Sequence, residues 1–286
     1  MSKKVIIASD STCDLSPELI ERFGVQILPL GVTLGEEQYI DGVNIDPDMI
    51  YAHYEKNGEL PKTSAVNIAE FETLYKKFTD EGCSIVVFTI GSGMSSTYNN
   101  ARLAAEDFED VYVVDTKNLS TGGGLLVLAA CDMAAEGKDA SEIAATCSEL
   151  ADHVDASFVI DNLEFLYKGG RCSALAMLGA NVLQLKPCIM VREGKMGVGK
   201  KYRGKFDVVL KSYINDMIGD ASDIDTRRVF VTHAGCDESI VNACLEQVKA
   251  KGAFQEVLLT RAGCTISSHC GRNTLGVLFI KKEKIQ

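Results

Sequence analysis

The stretch VVFTIGSGMSSTYNNARLA, Val86 to Ala104, sets an apolar run, a Gly-Ser-Gly turn, the hydroxyls of Ser95, Ser96 and Thr97, and a helical pattern end to end. Strand, glycine turn and helix in that order form the repeating unit of a parallel sheet covered by helices. The surrounding sequence follows the same grammar. Lys4 to Ala8, Ser84 to Ile90 and Val111 to Asp115 read as strands, and Thr97 to Phe108 as a helix. Ser16-Pro17 and Asp46-Pro47 are helix starts with proline at the first helical position, Asn67 to Glu70 is a capping box, and Asn57-Gly58 is a left-handed stop. A further helix runs from about Ser120 to Gly137, and Asp139 with Glu142 opens another.

The grammar changes near residue 155. Ser157 to Ile160 reads as a strand, and a Gly-Gly-Arg turn separates helical runs at Leu163 to Tyr167 and Ser173 to Leu183. Cys188 to Arg192 and Lys195 to Tyr202 flank Glu193-Gly194 as a hairpin, which a purely parallel sheet does not contain. The expected architecture is therefore α/β with two domains. Residues 1–155 form a Rossmann-like parallel sheet with helices on both faces; residues 156–286 form a mixed-sheet α/β layer. VFVTHAGC (Val229 to Cys236) and VLLTRAGC (Val257 to Cys264) echo each other once. If Ser239 to Lys249 is the crossover helix between them, the two strands are parallel, and His233 shares a rim with Cys264 to Gly271.

Composition removes several classes of function. A formal net charge of -11, with no basic run interleaved with aromatics, argues against a nucleic-acid partner. The longest apolar run, Leu125 to Cys131, is far short of the roughly 20 residues that span a bilayer, and the N-terminus lacks a signal-peptide core. Ten cysteines occur with no C-x-x-C pair, which predicts buried thiols in a reducing, cytoplasmic setting and no metal centre.

The opening turn is expected to hold an anion, because a helix N-terminus offers free N–H groups and the positive end of its dipole. Three readings follow. Gly91 to Ser96 matches the dinucleotide fingerprint at two of three glycines, with Asp115 at the end of the next strand; Ser96 stands where the third glycine belongs. Gly93-Met94-Ser95-Ser96-Thr97 resembles a nucleophile elbow with His269 downstream as base, making a serine hydrolase a second reading. The third is a carboxylate held by spare hydroxyls. Outside the turn, His269 sits in a Ser/Gly-rich segment read as a loop, Lys62-Thr63-Ser64 reads as turn chemistry, and Lys168 and Arg171 flank a glycine pair.

In this order, SDSTCDL (Ser9 to Leu15), PKTSAV (Pro61 to Val66), IGSGMSSTYNNA (Ile90 to Ala101), LEFLYKGGRCS (Leu163 to Ser173), LKPCI (Leu185 to Ile189) and the His269 segment resemble the DegV family. The resemblance spans essentially the whole chain. It implies two α/β domains with a long-chain fatty acid such as palmitate, stearate or oleate between them, no other cofactor, and no catalysis by the chain itself. It also implies service as the acid-presenting subunit of a fatty acid kinase whose ATP-dependent partner makes acyl phosphate, leaving room for transient membrane contact. By the same resemblance Thr63, Ser95 and His269 hold the carboxylate, with Ser64, Ser92 and Ser96 close by and Arg171 near the mouth. SALAMLGANVLQL, Ser173 to Leu185, is a candidate tunnel lining. The chain departs from the family pattern at Gly91, Met94, Ser96 and Cys270 to Asn273.

The physics of such a ligand fits. A carboxylate needs only convergent donors, about 1.5–3 kcal/mol for each charge-assisted bond. About 14 buried methylenes add on the order of 11 kcal/mol before ordering costs.

Overall fold

A computed structural model describes residues 3–173 and 185–285. The expected tunnel lining between Ser173 and Leu185 falls almost wholly on 174–184, outside the described residues.

Among the described residues, thirteen strands and ten α-helices follow in chain order: β1 Val5–Asp10, α1 Pro17–Phe23, β2 Gln26–Leu28, β3 Gly31–Leu34, β4 Glu37–Ile40, α2 Pro47–Asn57, β5 Lys62–Ser64, α3 Ile68–Asp80, β6 Ser84–Thr89, α4 Thr97–Ala104, β7 Val111–Asp115, α5 Thr121–Ala135, α6 Ala140–Leu150, β8 Val154–Ile160, α7 Glu164–Gly169, β9 Leu185–Arg192, β10 Lys195–Arg203, α8 Phe206–Ile218, β11 Ile224–Ala234, α9 Glu238–Lys249, β12 Glu256–Arg261, α10 Cys264–Cys270 and β13 Thr274–Lys281. The fold is α/β. One sheet of four strands, in the order β2-β1-β6-β7, is parallel throughout. A second of six, β10-β9-β8-β13-β11-β12, is mixed, with only β11 and β12 parallel and α9 crossing between them. The echoed segments thus lie side by side, with Val229 opposite Val257 and Thr232 opposite Thr260.

Local chemistry explains the boundaries. Every residue of β6 is buried, as a central parallel strand covered on both faces requires. Ser16, Asp46 and Asn67 cap α1, α2 and α3 through their side chains, and Gly58 ends α2 at φ 68°. The hairpin between β9 and β10 turns on Glu193 and Gly194, both left-handed.

α5 joins the two sheets. Residues Thr121 to Cys131 are all buried, because the helix packs on β1 and β6 on one side and on β8, β11 and β13 on the other. A helix apolar all round belongs in such a place. The largest core cluster accordingly contains Val86 and Phe88 from the parallel sheet, Leu126 and Leu128 from α5, and Phe158, Phe230 and Leu278 from the mixed sheet. Arg228 adds a polar tie: it binds Asp132 at 2.5 and 3.0 Å and Glu256 at 2.7 Å, and Glu256 also takes Arg22 at 2.9 Å.

Three segments differ from the sequence reading. Residues 26–40 hold three short strands where none is expected, and Lys62-Thr63-Ser64 is a strand, not a turn. β5 pairs with β3, and β3 with β4, in a three-stranded antiparallel sheet. Gly31 lies opposite Ser64, and a Cβ on Gly31 would collide with the Ser64 hydroxyl. The His269 segment is likewise helical, as α10.

The cysteines other than Cys172 are free thiols, and of all ten only Cys236 is not buried. Burial pushes several of them, Cys13, Cys147 and Cys270 among them, up to about 12, so they stay protonated and unreactive at neutral pH.

Candidate functional site: a hydroxyl and histidine cluster over an apolar cavity

A cavity of ≈ 170 Å³ opens where the parallel sheet, the short antiparallel sheet and α10 meet. Its polar lining includes Thr63 and Ser64 from β5, Ser95 and Ser96 from the glycine turn, Arg171 from the segment after α7, and Thr265 and His269 from α10. Leu30, Ile90, Met94, Leu119, Leu166, Met196 and Ile266 supply apolar wall. Six of the seven expected site residues therefore share one cavity. Ser92 does not: it is exposed, and its N–H donates to Asp115 Oδ1 at 3.0 Å.

The central contact joins residues 206 positions apart. Thr63 Oγ1 and His269 Nε2 are 2.9 Å from each other, while His269 Nδ1 is buried without a partner. The ring packs so closely on Gly169 that a Cβ there would lie 2.7 Å from Nδ1, which accounts for one of the two glycines before Arg171. Burial, with the Arg171 guanidinium nearby, pushes the imidazole down to about 4, so it is neutral at pH 7. Arg171 donates to its own turn, to Gly169 O at 2.7 Å.

The turn proves less open than a helix N-terminus suggests. The amides of Gly91, Ser92 and Met94 are already spent on Asn118 O, Asp115 Oδ1 and Gly91 O. The glycines serve close packing. A Cβ on Gly93 would lie 2.6 Å from Gly194 O, and one on Gly91 would lie 3.0 Å from the backbone of Lys117. Asp115 braces the turn and Lys117 N, at 2.9 Å. This engages the groups that a dinucleotide would need. The hydrolase reading meets a similar obstacle, since Ser95 Oγ pairs with Thr97 Oγ1 at 2.9 Å and His269 Nε2 pairs with Thr63. Among the described residues, the site offers hydroxyl donors, a neutral imidazole and the Arg171 guanidinium at the rim.

Three carboxylates that sequence reasoning left without a role stand behind these groups. Asp10 accepts from Thr12 N at 3.0 Å and from Ile90 N at 2.8 Å, fixing the chain as it enters the turn. Asp14 accepts from Ser120 Oγ at 2.5 Å and from Gly263 N at 2.8 Å. Asp41 accepts from Cys264 N at 2.8 Å, Thr265 N at 3.0 Å, Thr265 Oγ1 at 2.6 Å and Ser11 Oγ at 3.0 Å. Burial raises Asp10 to about 6 and Asp14 to about 8. The SDSTCDL pattern carried two of the three, but nothing in it indicates their distant partners.

Among the described residues no group of His, Cys, Asp and Glu could hold a metal ion, and no helix is long and apolar enough to cross a membrane.

A family model described as uncharacterised protein, DegV family, matches residues 4–282. The chain belongs to the DegV family. A DegV domain-containing protein of Clostridium acetobutylicum is 32% identical over 98% of this chain and 99% of its own length. Among DegV folds of known structure, the Thermus thermophilus protein, described as fatty-acid-binding, superposes with a TM-score of 0.88 at 30% identity, covering 97% of this chain and 99% of that one. A stearic-acid-binding protein from Eubacterium ventriosum superposes at 0.82 with 28% identity, covering 99% of each chain. DegV relatives thus bind fatty acids in this fold.

Proposed function

We propose that this protein binds a long-chain fatty acid, its carboxylate held by Thr63, Ser64, Ser95, Ser96 and His269 and its tail lying on the apolar wall. The observation that carries this reading is the Thr63–His269 contact of 2.9 Å at the polar end of a cavity whose remaining wall is mostly aliphatic. Hydroxyls and a neutral imidazole suit a singly charged carboxylate. A phosphate or pyrophosphate would call for more cations and free amides than the turn supplies. The two lobes divide near residue 155, and the acid lies between them. Arg171 at the rim steers the carboxylate in. The protein itself carries out no bond-making step; it presents the acid to an ATP-dependent fatty acid kinase, which phosphorylates it to acyl phosphate in the cytoplasm.

The test is mass spectrometry under denaturing conditions on protein purified without detergent. A stoichiometric long-chain acid is expected. Finding none, with no binding of added palmitate or oleate, overturns the reading. Addition of ATP and a fatty acid kinase subunit should then turn the bound acid into acyl phosphate, whereas the protein with ATP alone should not.

A further inference from the structure

α10 is seven residues long, and the residue at its N-cap position, Gly263, has no side chain with which to cap it. So short a helix has little stability of its own, and its first amides need outside acceptors. These acceptors come from more than two hundred residues away. Asp14 takes Gly263 N, and Asp41 takes both Cys264 N and Thr265 N, one with each carboxylate oxygen, together with the Thr265 hydroxyl. A Cβ on Gly263 would crowd Asp14 Oδ1 at 3.1 Å, so the glycine eases the approach of Asp14, while Asp41 Oδ1 at 3.4 Å would be in ordinary contact. Asp41 is in turn held by its own N–H on Leu30 O at 2.9 Å and by Ser11 Oγ, which also accepts from Leu30 N. Leu30 lines the cavity. Thr265 and His269 are four residues apart and so share one face of α10, and both line the cavity.

We propose that Asp41, with Asp14 beside it, is a positioning residue of the acid site: by capping α10 from the N-terminal half of the chain, it sets where His269 stands relative to Thr63. The inference rests on the fatty-acid reading for its effect on affinity, and on the geometry alone for its effect on His269.

The experiment compares wild type, Asp41→Asn and Thr265→Val by palmitate titration and by the ¹⁵N signals of the His269 imidazole in ligand-free protein. Asp41→Asn keeps the shape but turns an NH₂ group toward donors. It should weaken palmitate binding about ten-fold and shift the imidazole signals as the Thr63 contact loosens. Thr265→Val, which removes one bond to Asp41 and keeps the packing, should shift both in the same direction by less. A folded Asp41→Asn protein with lowered stability but unchanged imidazole signals and unchanged affinity overturns the proposal and leaves Asp41 a purely structural cap. If Asp41→Asn does not fold, Thr265→Val decides, and no change in either readout overturns it. If wild type binds no palmitate, the acid reading fails separately, while the imidazole signals still test the positioning.

Discussion

His269 and His233 are alike by every electrostatic measure and differ in what they touch. Burial pushes each imidazole down to about 4, an arginine helps in each case (Arg171 and Arg261), and each has a buried Nδ1 without a partner. His269 meets Thr63 in the cavity with the polar rim. His233 lies against a smaller, almost wholly apolar cavity, beside Thr232, whose hydroxyl is engaged with Thr121 at 2.6 Å and Thr260 at 3.1 Å. A perturbed histidine therefore does not mark a binding site. What sets His269 apart is that it converges with the hydroxyl-bearing residues Thr63, Ser64 and Ser95 on one cavity.

That contrast is sharpest in binding. His269→Ala should weaken palmitate by roughly ten- to a hundred-fold, the worth of one charge-assisted bond, while His233→Ala should leave affinity within about two-fold. Isothermal titration of the two variants decides it, and an equal loss in both would erase the distinction. Ser95→Ala should cost less, about two- to ten-fold, because the hydroxyl must first leave Thr97 to reach the acid. An effect of Ser95→Ala as large as that of His269→Ala would shift the centre of the site toward the turn.

Stability against pH should fail to separate the two histidines. For each, the folded value lies below the ordinary 6.5, so the stability it contributes is present above pH 6.5 and is lost as pH falls through about 4. Urea unfolding between pH 7 and 4 should thus show a shallower decline in both alanine variants. Asp14 works in the other direction. Its value is raised from 3.8 to about 8, so its contribution is full below pH 4 and is lost as pH rises through 8. Asp14→Asn should flatten the wild-type loss of stability over that interval; an unchanged slope would mean that Asp14 stays ionised in the fold.

Three of the four strands of the parallel sheet, β1, β6 and β7, are legible as largely apolar runs, and α1, α2 and α3 start at recognisable caps; β2, only three residues long, is not legible. Nor is the short antiparallel sheet. β3, β4 and β5 are three or four residues each, and Glu37–Ile40 is mostly exposed, so no period can establish itself. α10 was hidden for a related reason: Cys-Thr-Ile-Ser-Ser-His-Cys is a poor helix former, and the cap that makes it helical is Asp41, 223 residues before Cys264. The resemblance pointed to Thr63 and His269, yet their contact depends on both of these unreadable elements. Ser92 shows the converse. It stands in the turn that looked most like a site, but it faces solvent.

The placement of α5 between the two sheets bears on how the protein comes into being. Neither half of the chain owns a complete interior: cut near residue 155, the first half would carry a helix apolar on every face with one face bare, and the second would lack the element that covers β8, β11 and β13. The halves should therefore unfold together in a single calorimetric transition. During synthesis the N-terminal half must wait, with apolar surface unburied, until β13 has left the ribosome, which makes the nascent chain a natural client for chaperones.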